Sequence, residues 1–191
     1  MTDAQALSAP GHLATALPFD TALYLGPGLA DLALALSSAQ ALRICAYADA
    51  KTRALLDSPR AAAPLIQPTP PALVSASGKE EALYRYNVKG LASLRSATGL
   101  KELFPGLREK SRTPVDTIAA PTALQEAQLT GAHNLLILGA TGLEADILQL
   151  LMEPEGPPLF SRIILPLPAL SLYEGSPDGA ALIALLETGS Y

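Results

Sequence analysis

Residues 134–150 constrain the fold of this chain more than any other stretch, because they read as a strand, a tight turn and a helix. Asn134–Leu138 is a strand-length apolar run that contains no charged side chain. Gly139–Gly142 is a turn of small residues, after which Leu143 and Ile147 recur at helical spacing. An apolar strand that feeds a helix is typical of a parallel sheet covered on both faces. We therefore expect an α/β fold.

A similar unit lies near the start of the chain. Ala22–Leu25 reads as a strand, Gly26-Pro27-Gly28 as a turn and Leu29–Leu42 as a helix. Glycines at such a turn let a ligand approach the backbone, and a helix N-terminus favours anions. A plain strand-to-helix turn explains Gly26 and Gly28 at least as well.

The second strand is followed by an acid. Arg43–Ala48 reads as this strand, and Asp49 comes directly after it. In dinucleotide and nucleoside sites, an acid at that point bonds the ribose hydroxyls. Asp49 also precedes a short predicted helix over Ala50–Leu56, which it would cap. Both interpretations stay open.

The pattern between the second strand and residue 134 is less regular. Ser58–Pro71 is proline-rich and reads as a linker or an edge segment, followed by strands over Pro71–Ser77 and Glu81–Tyr86 and by irregular Asn87–Thr98. The other predicted elements are a helix over Leu100–Leu107, extended Arg112–Ile118, a helix over Ala123–Leu129, a strand over Phe160–Leu165 and a helix over Gly179–Leu186. Alternating strands and helices predict a mostly parallel sheet. We expect residues 1–20 to be an N-terminal arm and residues 21–191 to be one domain.

Composition limits the function classes. The net charge is −5 and the longest basic cluster is Arg108–Arg112, so we do not expect nucleic-acid binding. Cys45 is the single cysteine, and no signal sequence or apolar run of membrane-spanning length is seen, so we expect a cytoplasmic protein without a transmembrane segment. Charged residues make up only 16%. This shortage indicates either a partner-covered surface or simply an Ala- and Leu-rich composition.

The order of these landmarks resembles the FkbM-type S-adenosylmethionine-dependent methyltransferases. The likeness rests on Ala72–Ser96, on Thr98–Leu107 with Thr113–Ile118, on Leu135–Leu148 and on Leu182–Tyr191. Leu135–Leu148 is similar to the family's leucine-leucine-lysine-isoleucine-aspartate-valine-x-glycine-alanine-glutamate run. The resemblance implies a Rossmann-like, class I methyltransferase-like sheet with helices on both faces. It also implies S-adenosylmethionine as cofactor and a sugar or small-metabolite hydroxyl as methyl acceptor.

The chain departs from that family where the family carries charge. The acid of the family's first strand falls at Tyr24, and the acid that ends the second strand falls at Ala48. The lysine and aspartate of the long run fall at Ile137 and Gly139, and the acid of the next strand falls at Pro166. A hydrogen bond to a charged group contributes roughly 1.5–3 kcal/mol, so each loss weakens cofactor binding about tenfold or more.

The resemblance still assigns a small set of candidate residues. Those implied to hold the cofactor, if it is held at all, are Gly26, Gly28 and Asp49. Those implied to lie near the acceptor are Asn87, Ser93 and Glu144. Glu144 is better explained by the dipole of the helix it begins, and Asn87 and Ser93 by turn formation. No catalytic residue is assigned, and no metal-ligand spacing is found.

The family's fold also adds a strand hairpin after the helix that ends here. The hairpin has no residues in this sequence, so we expect an open sheet edge that a protein partner or a second copy must cover. The expected function is a catalytically degenerate, FkbM-like subunit of a protein complex that needs no cofactor. The alternative is an active, divergent O-methyltransferase that uses S-adenosylmethionine.

Overall fold

The computed structural model describes residues 18–27, 41–48, 65–67, 72–88, 91–129, 131–139, 142–152 and 159–189. Its strands are β1 (Phe19–Leu25), β2 (Ala41–Tyr47), β3 (Leu65–Gln67), β4 (Leu73–Ser75), β5 (Glu81–Tyr86), β6 (Ala92–Ser93), β7 (Glu109–Val115), β8 (Thr117–Ala119), β9 (Asn134–Leu138) and β10 (Arg162–Ile164). The described helices are α1 (Thr98–Leu103), α2 (Ala120–Ala127), α3 (Glu144–Met152) and α4 (Gly179–Thr188). The predicted helix over Ala50–Leu56, Gly28, Asp49 and residues 1–17 of the arm lie outside these ranges.

Five strands form a parallel sheet in the order β10-β9-β1-β2-β3. Leu23 of β1 lies opposite Cys45 on one side and Leu136 on the other. Numbered by their occurrence in the chain, the strands read 3-2-1-4-5 from the β3 edge. The sheet therefore grows in one direction from β1 to β3 and in the other from β9 to β10. The predicted α/β class with a mostly parallel sheet is confirmed.

The central strand β9 is buried on both faces, which explains why it carries no charge. Leu136 and Leu138 belong to an apolar cluster that α2, α3 and α4 also enter. Leu135 and Ile137 lie in a second cluster together with Tyr24. Alternate side chains of a strand point to opposite faces, so a strand buried on both sides must be apolar throughout. The prediction of helices on both faces stays a prediction, because residues 28–40 lie outside the described ranges.

Residues 76–88 and 91–116 form an added layer, which we call the antiparallel module and which packs on the main apolar cluster through Leu83 and Leu94. The module joins β4 to β8, which pair with each other in parallel. It contains α1 and a three-stranded antiparallel sheet in the order β6-β5-β7. Its small core contains Tyr86, Ala97 and Leu107, completed by Tyr173 from the segment after β10.

Several predicted boundaries change. The sheet's third strand is Leu65–Gln67, which lies inside the proline-rich segment and at the edge of the sheet. Of the two structures predicted for that segment, a linker or an edge segment, these residues form the edge. Pro71–Ser77 does contain a strand, β4, but it pairs with β8 outside the five-stranded sheet. Ala41–Leu42 begin β2 and do not end a helix. Prolines on both sides of three residues hide an edge strand from sequence patterns, although such edges tolerate proline.

The extended segment Arg112–Ile118 was also predicted too simply. It divides into β7 and β8, which pair with different strands on either side of Asp116. The described helices, of which α4 is the longest at 10 residues, are too short to cross a bilayer, which takes roughly 20 residues.

Candidate functional site

The carboxyl ends of β1 and β9 mark the point where the sheet reverses its direction of growth. Ligands of open α/β sheets bind in the crevice at such a point. The Gly26 N–H donates to the Tyr47 carbonyl at 3.0 Å, and the Gly139 N–H donates to the Leu25 carbonyl at 2.7 Å. Strand pairing thus continues one residue beyond each strand. The backbone donors of Gly26 and Gly139 serve the sheet, and both glycines are buried.

The positions of the missing family acids lie in or beside the apolar core. Tyr24, Ala48 and Ile137 are fully buried in the same apolar cluster, on the face that does not contact α3. Gly139 is buried, and Pro166 is half-buried. The described ends of β1, β2 and β9 therefore carry no carboxylate at these positions. The structure leaves the roles predicted for Gly28 and Asp49 untested, since both residues lie outside the described ranges.

Among the predicted site residues that the structure describes, Glu144 is the one with a buried carboxylate at this edge. It begins α3 and is only 6% exposed. Its Oε2 accepts a hydrogen bond of 2.7 Å from the Gly142 N–H. Burial raises the pKa of Glu144 to about 7, although hydrogen bonds from its own N–H and that of Gly142 oppose this rise. The carboxylate therefore acts as an internal cap for the turn that precedes α3.

The turn before α3 is packed against the rest of the chain. Gly142 has a φ of 94°, and a Cβ added there would lie 2.9 Å from Cβ of Tyr173 and 3.2 Å from Cβ of Arg95. Tyr173 is itself buried. Glycine at a strand-to-helix turn often lets a ligand approach the backbone. Here the space beside Gly142 is occupied by the protein's own side chains.

An ion pair connects this turn to the antiparallel module. Arg95 Nη2 lies 3.1 Å from Asp146 Oδ2, and both side chains are 43% exposed. A pair at this exposure contributes at most about 1 kcal/mol. Its structural effect is to hold the stretch after β6 against the first turn of α3. Sequence reasoning singled out neither Arg95 nor Tyr173, because both contacts span large sequence separations and Gly142 alone does not reveal them.

The two other acceptor candidates lie in different places. Ser93 is buried, and its Oγ accepts from the Arg95 N–H at 2.8 Å, so it lies close to the Gly142 turn. Asn87 directly follows β5 and contacts the loop after α1. Its Nδ2 donates to the Gly106 carbonyl and its Oδ1 accepts from the Arg108 N–H, each at 2.9 Å. Both side chains close turns. The structure brings Ser93 and Glu144 to the same region and gives Asn87 a separate loop-closing role.

Within the described ranges, no three His, Cys, Asp or Glu side chains gather in a way that could hold a metal ion. Comparison with models of protein families, with curated proteins and with solved structures gives no match to this chain.

Proposed function

We propose that this chain is a non-catalytic subunit of a protein complex, built on a Rossmann-like fold of the FkbM methyltransferase type. The strand order 3-2-1-4-5 supports this fold, because doubly wound nucleotide-binding sheets use the same order on both sides of their reversal point. The resemblance of Leu135–Leu148 to the family's long run supports the same choice.

One observation carries the non-catalytic part of the proposal. The turn before α3, which we call the Glu144 turn, is bonded and covered by side chains of the protein itself. Glu144 is 6% exposed and bonded to Gly142, while Tyr173 and Arg95 cover the turn. A methyltransferase depends on holding the methyl donor and the acceptor in line at this edge of the sheet. The side chains of Tyr173 and Arg95 take up the space beside Gly142, which supports a turn that receives neither molecule there.

The described residues do not fit S-adenosylmethionine. Its ribose hydroxyls and amino group call for acceptors at the ends of the first two strands, where Tyr24 and Ala48 lie buried among apolar side chains. Two missing charged hydrogen bonds weaken binding by about a hundredfold, at roughly tenfold each. No step of methyl transfer is therefore derived for this chain.

One observation favours the second candidate, a divergent O-methyltransferase. A carboxyl group whose pKa is raised to about 7, as burial does for Glu144, is typical of a general base. The same burial also removes the carboxylate from any acceptor hydroxyl. The raised pKa of Glu144 is therefore explained by its burial inside the protein, and the non-catalytic proposal remains the better supported of the two.

A surface for association supports the subunit role. β10 ends the five-stranded sheet, and no described strand pairs with its outer edge. In the segment after β10 and on α4, Leu167, Leu170 and Ile183 are 51%, 57% and 44% exposed, and Leu167 packs against the start of α4 at Gly179. An open sheet edge and exposed apolar side chains of this size each support a surface that a partner protein or a second copy covers.

Calorimetric titration with S-adenosylmethionine and S-adenosylhomocysteine tests the non-catalytic part. We expect no heat of binding at millimolar ligand, with an active class I methyltransferase as the positive control. Micromolar binding would contradict the proposal and would move the search to an acceptor hydroxyl. The variant Tyr173→Ala, which unblocks the Gly142 turn, should not restore binding if the missing acceptors at Tyr24 and Ala48 are the cause.

Sedimentation velocity over a wide concentration range tests association through the apolar surface. If the occupant is a second copy, the wild type dimerises, and Leu167→Glu with Ile183→Glu yields monomers. The matched control is Val88→Glu, which changes an equally exposed apolar residue outside this surface. A wild type that stays monomeric would indicate a different protein as the partner.

A further inference from the structure

Charge is distributed unevenly between the antiparallel module and the rest of the chain. Residues 79–116 hold eight Lys or Arg and five Asp or Glu, whereas the remaining sequence holds five and thirteen. The module region is thus net positive in a protein whose overall charge is −5. Segregation of this kind makes one surface attractive to an acidic partner while the rest repels it.

The outermost strand of the module carries much of this positive charge. β7 pairs with β5, and no other described strand pairs with it. Five of its seven residues are exposed, among them Lys110 and Arg112, and the exposed Arg108 directly precedes it. No carboxylate in the described part of the chain forms an ion pair with these three side chains.

The register of β7 determines which backbone groups face outward. Pro114 lies opposite Ala82 and has no N–H to donate. The hydrogen bonds from this part of β7 to β5 therefore come from its neighbours Thr113 and Val115. Because the bonding direction alternates along a strand, the N–H and C=O of Arg112 point away from β5. A register shift against β5 at Lys110 ends the regular edge on the other side. The open edge is therefore short and centred on Arg112.

The Arg112 side chain is already held in position. Its guanidinium carbon lies 4.9 Å from the centre of the half-buried Tyr84 ring, in a cation–π contact. A cation that is partly ordered before binding loses less conformational entropy when it meets a carboxylate. The edge thus combines one free pair of backbone groups with an oriented positive charge.

A second copy of the chain is a poor occupant for this edge. Antiparallel pairing of β7 with itself about its outward-facing residue would place Arg112 directly opposite Arg112. Like charges directly opposite each other destabilise a strand pair. Pro114 also removes a donor from each copy. The same features that block self-pairing leave the edge open to a strand that carries acids.

From this we propose that the outer edge of β7 binds an extended acidic segment of a partner protein, which adds to the module as a further strand. The Arg112 backbone pairs with the segment, and Lys110, Arg112 and Arg108 meet its carboxylates. Nucleic acid is the less suitable occupant, because its backbone has no amide to donate to the Arg112 carbonyl. This inference goes beyond the proposed function, since it holds whether or not the Glu144 turn binds a cofactor.

Fluorescence anisotropy with a labelled peptide of alternating Val and Glu tests the proposal. We expect saturable binding that weakens as salt is raised and is absent for a Val and Gln peptide of equal length. The variant Lys110→Glu with Arg112→Glu should weaken binding by about a hundredfold, at about tenfold per charge. The matched control is Lys79→Glu, which reverses an exposed charge of the module outside β7. Because solvent ions screen a distant charge, this variant should change the affinity for the peptide less than about threefold.

Hydrogen exchange provides the readout for backbone pairing. Binding of the Val and Glu peptide should slow exchange at the Arg112 amide more than at the Thr113 amide, which already bonds to β5. Equal binding of the Gln peptide, unchanged binding by the double variant, or tighter binding of a single-stranded oligothymidylate would each overturn the proposal. Titration of the same samples with S-adenosylmethionine reports on the Glu144 turn separately, so failure of one proposal is distinguishable from failure of the other.

Discussion

The five-stranded sheet and the antiparallel module use their surfaces in opposite ways. Every residue of β9 is buried, whereas five of the seven residues of β7 are exposed. The sheet has apolar residues at Tyr24, Ala48 and Ile137, and Glu144 at the start of α3 caps a turn inside the protein. The comparison teaches that one chain can combine a sheet built for burial with a layer whose outer strand is left exposed and charged.

The two regions should differ most strongly in their tolerance of truncation. Leu136→Ala removes a fully buried side chain from β9 and should lower the free energy of unfolding by about 2–5 kcal/mol. Thr113→Ala on the exposed face of β7 should change it by at most about 0.5 kcal/mol. Urea denaturation of both variants measures the difference. Similar losses at the two positions would show that the module is as tightly packed as the sheet.

The burial of Glu144 makes the free energy of unfolding depend on pH. Burial raises its pKa from 4.5 to about 7, so the folded protein binds more protons than the unfolded chain between these values. Stability should therefore fall as pH rises from 4.5 to 7, by up to about 3 kcal/mol at 1.36 kcal/mol per pKa unit. Glu144→Gln keeps an acceptor for the Gly142 N–H and should remove this slope.

The control for that experiment is Asp146→Asn, which changes the neighbouring, more exposed carboxylate of α3. It should leave most of the slope between pH 4.5 and 7 in place, because burial raises the pKa of Glu144 more than the Asp146 charge does. Unfolding free energies from urea titrations at several pH values give both slopes. An equal slope in the wild type and in Glu144→Gln would mean that another group causes it.

Arginine side chains of the two regions should also contribute unequally to the stability of the fold. Arg43 of β2 donates to the Ala127 carbonyl at 2.8 Å and to the Gln128 carbonyl, and so caps the end of α2. Arg43→Met should cost about 1.5–3 kcal/mol, the range for hydrogen bonds to a charged group. Arg112→Met on β7 loses an exposed cation–π contact that contributes about 0.5–1 kcal/mol. Thermal unfolding compares the two, and equal losses would contradict the capping role of Arg43.

The smallest expected difference separates two glycines of positive φ. Gly142 has a φ of 94° and Tyr173 within 2.9 Å of an added Cβ, whereas Gly175 has a φ of 71° and open space around it. Gly175→Ala should cost about 1 kcal/mol for its backbone conformation alone. Gly142→Ala should cost at least about 1 kcal/mol more, because a packed contact must shift. Equal losses would mean that the turn has room beside Gly142.

The sequence predicted the regular parts of the fold because their patterns are local. Asn134–Leu138 and Glu81–Tyr86 form strands over the same residues as predicted. An uncharged apolar run of five residues and an alternating run of six are each compatible with few structures other than a strand. Leu65–Gln67 escaped detection, because three residues between prolines carry no periodic pattern and only the neighbouring β2 makes them a strand.

The site could be predicted only in part. The sequence indicated Glu144 through the family resemblance and Gly142 through its turn of small residues. The packing of that turn depends on Tyr173 and Arg95, which are distant in sequence. Uneven charge can likewise be counted from the sequence. That it lies on an open edge follows from the pairing of β7 with β5 alone among the described strands. Contacts between distant segments carry this information, and no local pattern reports them.

Amide NMR spectra recorded during titration with S-adenosylmethionine test the closure of the sheet edge most directly. The amides of Gly26 and Gly139 bond to neighbouring strands, and that of Gly142 bonds to Glu144, so they report on the reversal point of the sheet. We predict that these three amide signals do not move at millimolar cofactor. Saturable shifts confined to them would contradict the closed turn and would show that the site binds its ligand through other residues.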